Sequence, residues 1–367
     1  MGNPRGDISV IGLGKLGLCF ALTLERAGYQ VLGVDVDARH VDAINNRAVK
    51  SHEPGVSEAL ERSSNITATL DLDRAVTFSE SLYVIVATPS LADGGYDHSQ
   101  VDGLVDRLIQ MGEQPVTRHL VICCTTMPGY SESAQARLEP YNYEVSYNPE
   151  FIAQGTILRD QRAPDMVLIG QSSSEAGDRI QQHYEDMTDS SPTFCRMTRT
   201  EAEITKISLN CFLTTEISFA NMIGDICVRA GADPDTVLGA VAADSRVSPK
   251  NLGFGHGYGG PCFPRDNRAL AHYARTVGVE ALISEASDQM NDAHARHLFE
   301  DHLRRHPDKT EPVRFDSVTY KPESTMLVES QQLRLAEMLA RAGYRVVISE
   351  RASVIRELKE SWLWPGW

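Results

Sequence analysis

The chain has 367 residues and a net charge of −15, from 35 basic and 50 acidic side chains. That balance argues against nucleic acid or an anionic membrane as the main partner, yet leaves room for a locally basic pocket holding an anionic small molecule. Seven cysteines without a CxxC pair fit a reducing compartment. No run of 18 or more apolar residues reads as a membrane span. The polar start Met1-Gly-Asn-Pro-Arg-Gly-Asp7 lacks a signal-peptide pattern, and Gly6 stands where a myristoylation site wants Ser or Thr. A cytoplasmic protein is expected, and no metal site is.

Residues 8–35 read as a βαβ unit. Ile8–Ile11 is a short apolar strand, Gly12-Leu13-Gly14-Lys15-Leu16-Gly17 the turn, Leu18–Ala27 a helix and Tyr29–Asp35 the second strand. A lone GxGxxG is weak, but this one has a strand before it, a helix after it and an acid 18 residues beyond its last glycine. Gly12 allows the tight turn, Gly14 lets backbone N–H groups reach a pyrophosphate, and Gly17 allows close helix–strand packing. Asp35 would accept from adenosine ribose hydroxyls, and with Asp37 would repel a 2′-phosphate. NAD is therefore favoured over NADP.

Buried-looking, β-branched strands of a parallel sheet follow at Ser81–Ala87, His119–Cys124, Tyr143–Tyr147 and Met166–Ile169. The first three end beside prolines, at Thr88-Pro89, Thr126-Met-Pro128 and Asn148-Pro149-Glu150-Phe151. Ligands of open α/β sheets bind at the carboxyl ends of strands, which makes Thr88, Thr126 and Glu150 candidates by position. Taken alone, ordinary strand-end turn chemistry is the favoured account of each.

From Arg199 to about Gly231 the pattern is helical and long for a globular protein, which suggests a domain-spanning or dimer-forming element. Lys206 and Asn210 lie one turn apart on a face that continues to Leu213, Ile217 and Asn221. Such a face could equally be a partly exposed edge. Then comes Gly253-Phe-Gly-His-Gly-Tyr-Gly-Gly-Pro-Cys262-Phe-Pro-Arg-Asp266, with five glycines in eight residues to let backbone approach a ligand. A helix is expected after it with Asp266 as N-cap. A thiol just ahead of a helix N-terminus is favoured as thiolate, although a structural cysteine in a turn is the plainer alternative.

A polar stretch, Glu300–Glu311, reads as a linker. Beyond it Ser317–Lys321 is strand-like, Ser330–Ala342 helical and Tyr344–Ile348 a strand, a short echo of the first βαβ unit. The fold class is α/β. The expected parts are an N-terminal Rossmann-like doubly wound domain (1–195), a central helical domain with a long helix (196–299) and a short C-terminal Rossmann-like domain (300–367).

These residues resemble the nucleotide-sugar dehydrogenase family. The likeness rests on GLGKLG with Asp35, "SHEPGVSEAL", Thr88-Pro89, "TTMPG", "NPEFIAQGTI", "EAEITKISLNCFLTTEISFANMI", "SRVSPKNLGFGHGYGGPCFPRD" and a degenerate "KPESTMLVES". The resemblance implies a four-electron oxidation of a sugar C6 alcohol to the carboxylate with two NAD, through a cysteine thiohemiacetal and thioester. It further implies a homodimer and a nucleotide-sugar substrate, a UDP-sugar first. Cys262 matches the nucleophile, Lys206 and Asn210 the pair that steadies the oxyanion, and Asp266 the carboxylate that orients water and Lys206. Glu150 matches the acid for proton transfer and Thr126 a hydrogen-bonding role. The cofactor-binding set implied is Gly12 to Gly17, Asp35, Thr88, Pro89 and Thr126. For the substrate it is Phe151, Lys206, Asn210, Arg246, Lys250, Gly259 and Lys321, with Arg246 reaching across the dimer. One departure stands out: Val328 occupies the place of an arginine usual in the family.

Two other readings stay open on sequence. A two-electron β-hydroxyacid dehydrogenase would share the domain order but needs no cysteine. A non-catalytic dimer binding NAD or a nucleotide sugar would bind without turnover.

Overall fold

A computed structural model describes residues 5–51, 53–152, 155–322 and 324–361. His52, Ala153, Gln154 and Glu323, which belong to motifs quoted above, and Met1 and Gly2 of the myristoylation reading lie outside the described residues. The chain divides into two compact units, Met1–Lys206 and Ile207–Trp367.

In the first unit eight strands form one sheet: β1 (Asp7–Ile11), β2 (Gln30–Val34), β3 (Ile66–Thr69), β4 (Ser81–Val84), β5 (Arg118–Ile122), β6 (Tyr143–Tyr147), β7 (Met166–Gly170) and β8 (Thr193–Met197). Their order is β3-β2-β1-β4-β5-β6-β7-β8. β1 to β6 are mutually parallel, and the order reverses at β1/β4, the doubly wound arrangement in which ligands bind outside the strand carboxyl ends. β7 meets β6 antiparallel, at the single pair Tyr147–Gly170, so it is not part of the parallel run that its apolar composition suggests. β3 and β8 escape the sequence reading: both are short, half-polar edge strands.

The helices α1 (Lys15–Arg26), α2 (Ala38–Asn45), α3 (Val56–Arg62), α4 (Leu72–Phe78), α5 (Ser99–Gln110), α6 (Tyr130–Leu138), α7 (Ile157–Arg162) and α8 (Ser174–Met187) cover the sheet. Two apolar clusters result, one on each face. Ile8, Val10, Val31 and Val121 pack with α1, while Ile11, Leu32, Leu82, Val84 and Leu120 pack with α5 and α6. The period-2 alternation of side chains along each strand divides them between the clusters.

Helix α9 (Arg199–Ala230) runs from the first unit into the second, with the ends expected from sequence. It is the one described helix with the length and mean hydropathy (1.3) of a membrane span. It also buries Glu203, Thr214, Ser218, Asn221 and Asp225, which bond to other parts of the chain. One face of the helix is therefore packed against protein through buried polar bonds.

The second unit continues with α10 (Pro234–Ala242), α11 (Phe263–Thr276) and α12 (Leu282–Arg305), then β9 (Val313–Phe315), α13 (Gln331–Arg341), β10 (Val346–Ile348) and α14 (Ala352–Ser361). β9 and β10 pair in parallel around a small core of Phe315, Val318, Leu333, Leu339 and Val346. Three expectations are corrected here. The linker at 300–311 is half helix, because α12 continues to Arg305 with basic side chains in its last turn, where the helix dipole favours them. Ser317–Lys321 is not a strand; β9 lies just before it. Asp266 is not an N-cap: α11 starts four residues earlier, with Cys262 as its N-cap and a proline in its opening turn, a place where a missing N–H costs nothing.

Candidate active site

The first unit's glycine loop is built as its spacing implies. Gly12 sits at φ 93° and donates to the Val34 carbonyl at 2.8 Å; a Cβ there would stand 2.3 Å from the Ile85 carbonyl oxygen. A Cβ on Gly17 would come within 1.8 Å of the Gly12 oxygen, so α1 is seated directly on the turn. Gly14, by contrast, has nothing within 4 Å of the position a Cβ would take, which leaves the N-terminus of α1 open to a ligand. The Asp35 carboxylate at the end of β2 accepts from Leu13 N at 2.9 Å and Asp37 N at 3.0 Å, and keeps acceptor capacity for ribose hydroxyls. Leu13 is buried and fills the space beside Gly33, while Lys15 is exposed. His40, which sequence reasoning passed over, holds the Leu13 carbonyl at 2.8 Å through Nε2. An open helix terminus paired with a carboxylate at the next strand end fits a dinucleotide.

The neighbouring strand ends carry the other candidates. Thr88 is buried, its hydroxyl donating to the Thr125 carbonyl at 2.7 Å, and Pro89 is exposed. Thr126 is fully buried and donates to Glu203 Oε1 at 3.0 Å. Glu203 was not anticipated. From α9 it gathers the Thr126–Ser131 turn, also accepting from Gly129 N (2.6 Å), Ser131 N (2.9 Å) and Ser131 Oγ (2.7 Å). Burial raises its pKa and these bonds pull it back. A Glu in the opening turns of a long helix gives no sequence signal of such a role.

At the end of β6, Glu150 is half-buried, and its pKa is pushed up to about 7 by burial, against the Tyr184 hydrogen bond and the Lys206 charge, which both lower it. The Tyr184 hydroxyl lies 3.0 Å from Glu150 Oε1 and 2.9 Å from Asn148 Oδ1, and its single proton can serve only one of them at a time. Lys206, 8% exposed, donates to the Glu150 carbonyl at 2.6 Å and stands 4.3 Å from the centre of the Phe151 ring. Glu150, Phe151 and Lys206 are thus together, with the Glu150 carboxyl lifted toward neutrality by burial.

In the second unit Cys262 is the exposed one among seven thiols; Cys19, Cys123, Cys124, Cys211 and Cys227 are buried and Cys195 is partly covered. Burial pushes Cys19 and Cys211 up to about 12, far from reactivity. One turn into α11, Asp266 is fully buried and accepts from Asn210 Nδ2 at 2.5 Å and Arg265 Nε at 3.2 Å. Asn210, Asp266 and the helix capped by Cys262 therefore form one piece.

The glycines behave differently from their sequence reading. At Gly257, Gly259 and Gly260 an added Cβ would meet Asn291, the Glu329 carbonyl and the Tyr320 ring at 2.1, 2.3 and 2.5 Å. They bring the loop against the protein's own chain, and Gly260 N bonds to the Val328 carbonyl at 2.9 Å. Only Gly253 and Gly255 of the five leave open space. Below the loop, α9 presents a buried polar row. Thr214 bonds to Asn267, Ser218 to the Ser287 carbonyl, Asn221 to Gly255 N and Asp225 to His294. The sequence reading followed a face through Leu213 and Ile217 and reached only Asn221 of the row.

Arg246 is exposed and paired with Asp244, and Lys250 is exposed in a short turn. Lys321 lies 5.7 Å from the Tyr320 ring. Val328 is 48% exposed, and beside it Glu329, at φ 52°, accepts from Arg268 of α11 at 2.8 Å.

Comparison with known proteins decides the family. The family described as UDP-glucose/GDP-mannose dehydrogenase matches through its NAD-binding domain over residues 6–188 and its central domain over residues 200–293. A UDP-glucose 6-dehydrogenase of Pseudomonas aeruginosa is 31% identical over 92% of this chain and 77% of its own length. The chain belongs to the UDP-glucose/GDP-mannose dehydrogenase family. Another relative, a UDP-glucose 6-dehydrogenase of Haloferax volcanii, is 28% identical over 93% of this chain and 82% of its own. Among solved structures, a UDP-glucose dehydrogenase from Pyrobaculum islandicum superposes with a TM-score of 0.85 at 29% identity, covering 95% of this chain and 82% of that one. A 3-hydroxyisobutyrate dehydrogenase from Salmonella typhimurium, 15% identical with a TM-score of 0.53 over 80% of this chain and 95% of its own, shares the fold alone. As a family member the chain is an NAD-dependent nucleotide-sugar dehydrogenase, an oxidoreductase acting on a CH–OH group. NAD is its cofactor, in agreement with Asp35 and the open Gly14.

Proposed function

We propose that the chain oxidises the C6 alcohol of a nucleotide sugar, a UDP-hexose first, to the carboxylate in two steps through Cys262. The observation that carries this is the single exposed thiol capping a helix whose buried first turn holds the Asn210–Asp266 pair. When bound, NAD supplies the hydride acceptor for each step. The Cys262 sulfur adds to the aldehyde carbon, and a proton goes to the new oxygen to close the thiohemiacetal. Loss of the second hydride leaves a thioester, and water adds to its carbonyl to release the acid and the thiol.

Asn210 and Lys206, an amide and an ammonium on successive turns of α9, suit the oxyanion that forms at each addition. Glu150, poised at about 7, suits the proton transfers, with Tyr184 able to receive or return a hydrogen bond as the carboxyl changes state. Lys250 and Arg246 supply cations for the diphosphate, and Phe151, Gly259 and Lys321 complete the substrate set. The Thr126 hydroxyl, committed to Glu203, acts by fixing the strand-end turn beside the cofactor.

The proposal extends to the assembly. Phe212, Phe219, Met222 and Ile226 stand exposed along one side of α9, at spacings of seven, three and four, which is the spacing of a seam between two helices. A homodimer would cover it. A nucleotide-binding segment within 300–367, a central part at 196–299 and a cytoplasmic location belong to the same reading.

The test is NADH yield on a panel of nucleotide sugars, UDP-glucose first. Two NADH per acid, lost in Cys262→Ser, support the reading. One NADH and a carbonyl product would favour the two-electron alternative, and binding without turnover the non-catalytic one.

A further inference from the structure

The loop ahead of Cys262 is tied down by a histidine–aspartate pair that the reaction above does not use. His294 of α12 is fully buried. Its Nε2 lies 2.6 Å from the Gly255 carbonyl oxygen, and its Nδ1 lies 2.9 and 3.0 Å from the two carboxylate oxygens of Asp225 on α9. A carbonyl oxygen only accepts, so Nε2 carries a proton. Nδ1 faces the carboxylate, so one imidazole spans the carboxylate of α9 and the backbone of the loop. Two other titratable groups face it: His297 of α12, with Nε2 3.6 Å from Asp225, and His256 of the loop, whose pKa is lowered by burial and by the His294 charge.

Both bonds lie where water is excluded, so each is costly to leave unmade. Gly255 is the pivot of its segment. Its N–H donates to Asn221 at 3.1 Å, the Phe254 ring occupies the space that a side chain on Gly224 would need, and the His294 ring meets Phe254 edge-on at 5.7 Å. The segment between Lys250 and Cys262 also includes Gly253 and Gly255, the two loop glycines that leave open space.

We propose that His294 is a positioning residue for nucleotide-sugar oxidation. Its ring, held by Asp225, fixes the 253–257 segment on which substrate is received. This rests on the reading of Cys262 and its loop given above. The tether can also be read without turnover.

Deuterium exchange of a peptide spanning residues 250–262 is measured in wild type, His294→Ala and Asp225→Asn. Protection in His294→Ala is expected to fall about tenfold below wild type. In Asp225→Asn the side-chain amide donates to Nδ1 and leaves Nε2–H on Gly255, so protection stays within about threefold of wild type. In kinetics with UDP-glucose, His294→Ala lowers kcat/KM for the sugar nucleotide about tenfold and moves the KM for NAD less than about twofold. Asp225→Asn stays nearer to wild type. A His294→Ala protein as well protected as the wild type overturns the proposal, as does one whose KM for NAD shifts as much as its kcat/KM for the sugar nucleotide. Full turnover by Cys262→Ser would instead sink the cysteine reading, and the exchange result would still report on the tether.

Discussion

In the first unit the candidate residues stand at the ends of strands whose positions the sheet fixes; in the second, the candidate cysteine ends a loop with almost no regular structure. Glu150, Thr126 and Thr88 inherit their places from backbone pairing across β4, β5 and β6. Cys262 depends on a row of side-chain hydrogen bonds from α9 and α12 and on glycines pressed against neighbouring chain. The first kind of site should absorb substitutions at the strand ends without losing its frame. The second should fail collectively when one anchor goes, because each anchor holds backbone that no ladder supports.

The sharpest break is at the chemistry itself. Cys262→Ser should lose turnover to the acid by a factor on the order of 10³ or more while leaving NAD binding intact, as read by steady-state NADH formation beside NAD titration. Unimpaired acid formation would remove the loop from the reaction. Next in size is Glu203→Gln. It replaces a four-donor acceptor with an amide whose NH₂ faces donors, and should lower stability by about 3 kcal/mol in urea unfolding and raise the KM for NAD. A neutral result would show that the Thr126–Ser131 turn keeps its shape from the sheet alone.

A glycine pair tests the cofactor loop. Gly17→Ala should fail to fold or melt far earlier, since its Cβ would lie 1.8 Å from a carbonyl oxygen. Gly14→Ala should melt close to wild type but bind NAD at least severalfold more weakly, because its open space is the ligand's. Equal NAD affinity in Gly14→Ala would move the pyrophosphate elsewhere.

The pH dependence of Glu150 gives a smaller, signed effect. Burial lifts its pKa from 4.5 to about 7, so the folded chain binds the proton more tightly than the unfolded one. The stability it contributes is full below 4.5 and is lost as pH climbs through about 7. Glu150→Gln should flatten the fall in Tm across that window. Tyr184→Phe, which removes a bond that lowers the pKa, should move the matching limb of the rate profile to higher pH. A limb that stays in place would mean that another group titrates. The mildest test concerns assembly: Phe219→Glu should shift the protein toward monomer in light scattering without altering its Tm by more than a few degrees. An unchanged mass would place any dimer contact away from α9.

Much of this was legible beforehand because it depends on short-range geometry. GLGKLG with Asp35, the proline-marked strand ends and the extent of α9 follow from turn sterics and periodicity, which act within a few residues. The glycine-rich motif was found for the same reason, but composition permits close approach without saying to what, and three of its glycines approach the protein itself. Asp266 was expected at a helix cap and lies inside the helix, because prolines tolerated in a first turn allow α11 to begin at the cysteine. Glu203, Asp225 and His294 left no trace in sequence. Each is an ordinary polar residue in a helix until a partner 69 or more positions away is brought against it.

By itself the sequence determined the α/β class, the dinucleotide loop and the family, since these rest on residue chemistry at fixed local spacing. Only the tertiary structure decided that β7 turns antiparallel, that Glu150 is tuned toward neutrality and that a buried polar row carries the cysteine loop. Desolvation and long-range hydrogen bonding produce all three, and both depend on which distant groups share a dry space rather than on which residues are adjacent in the chain.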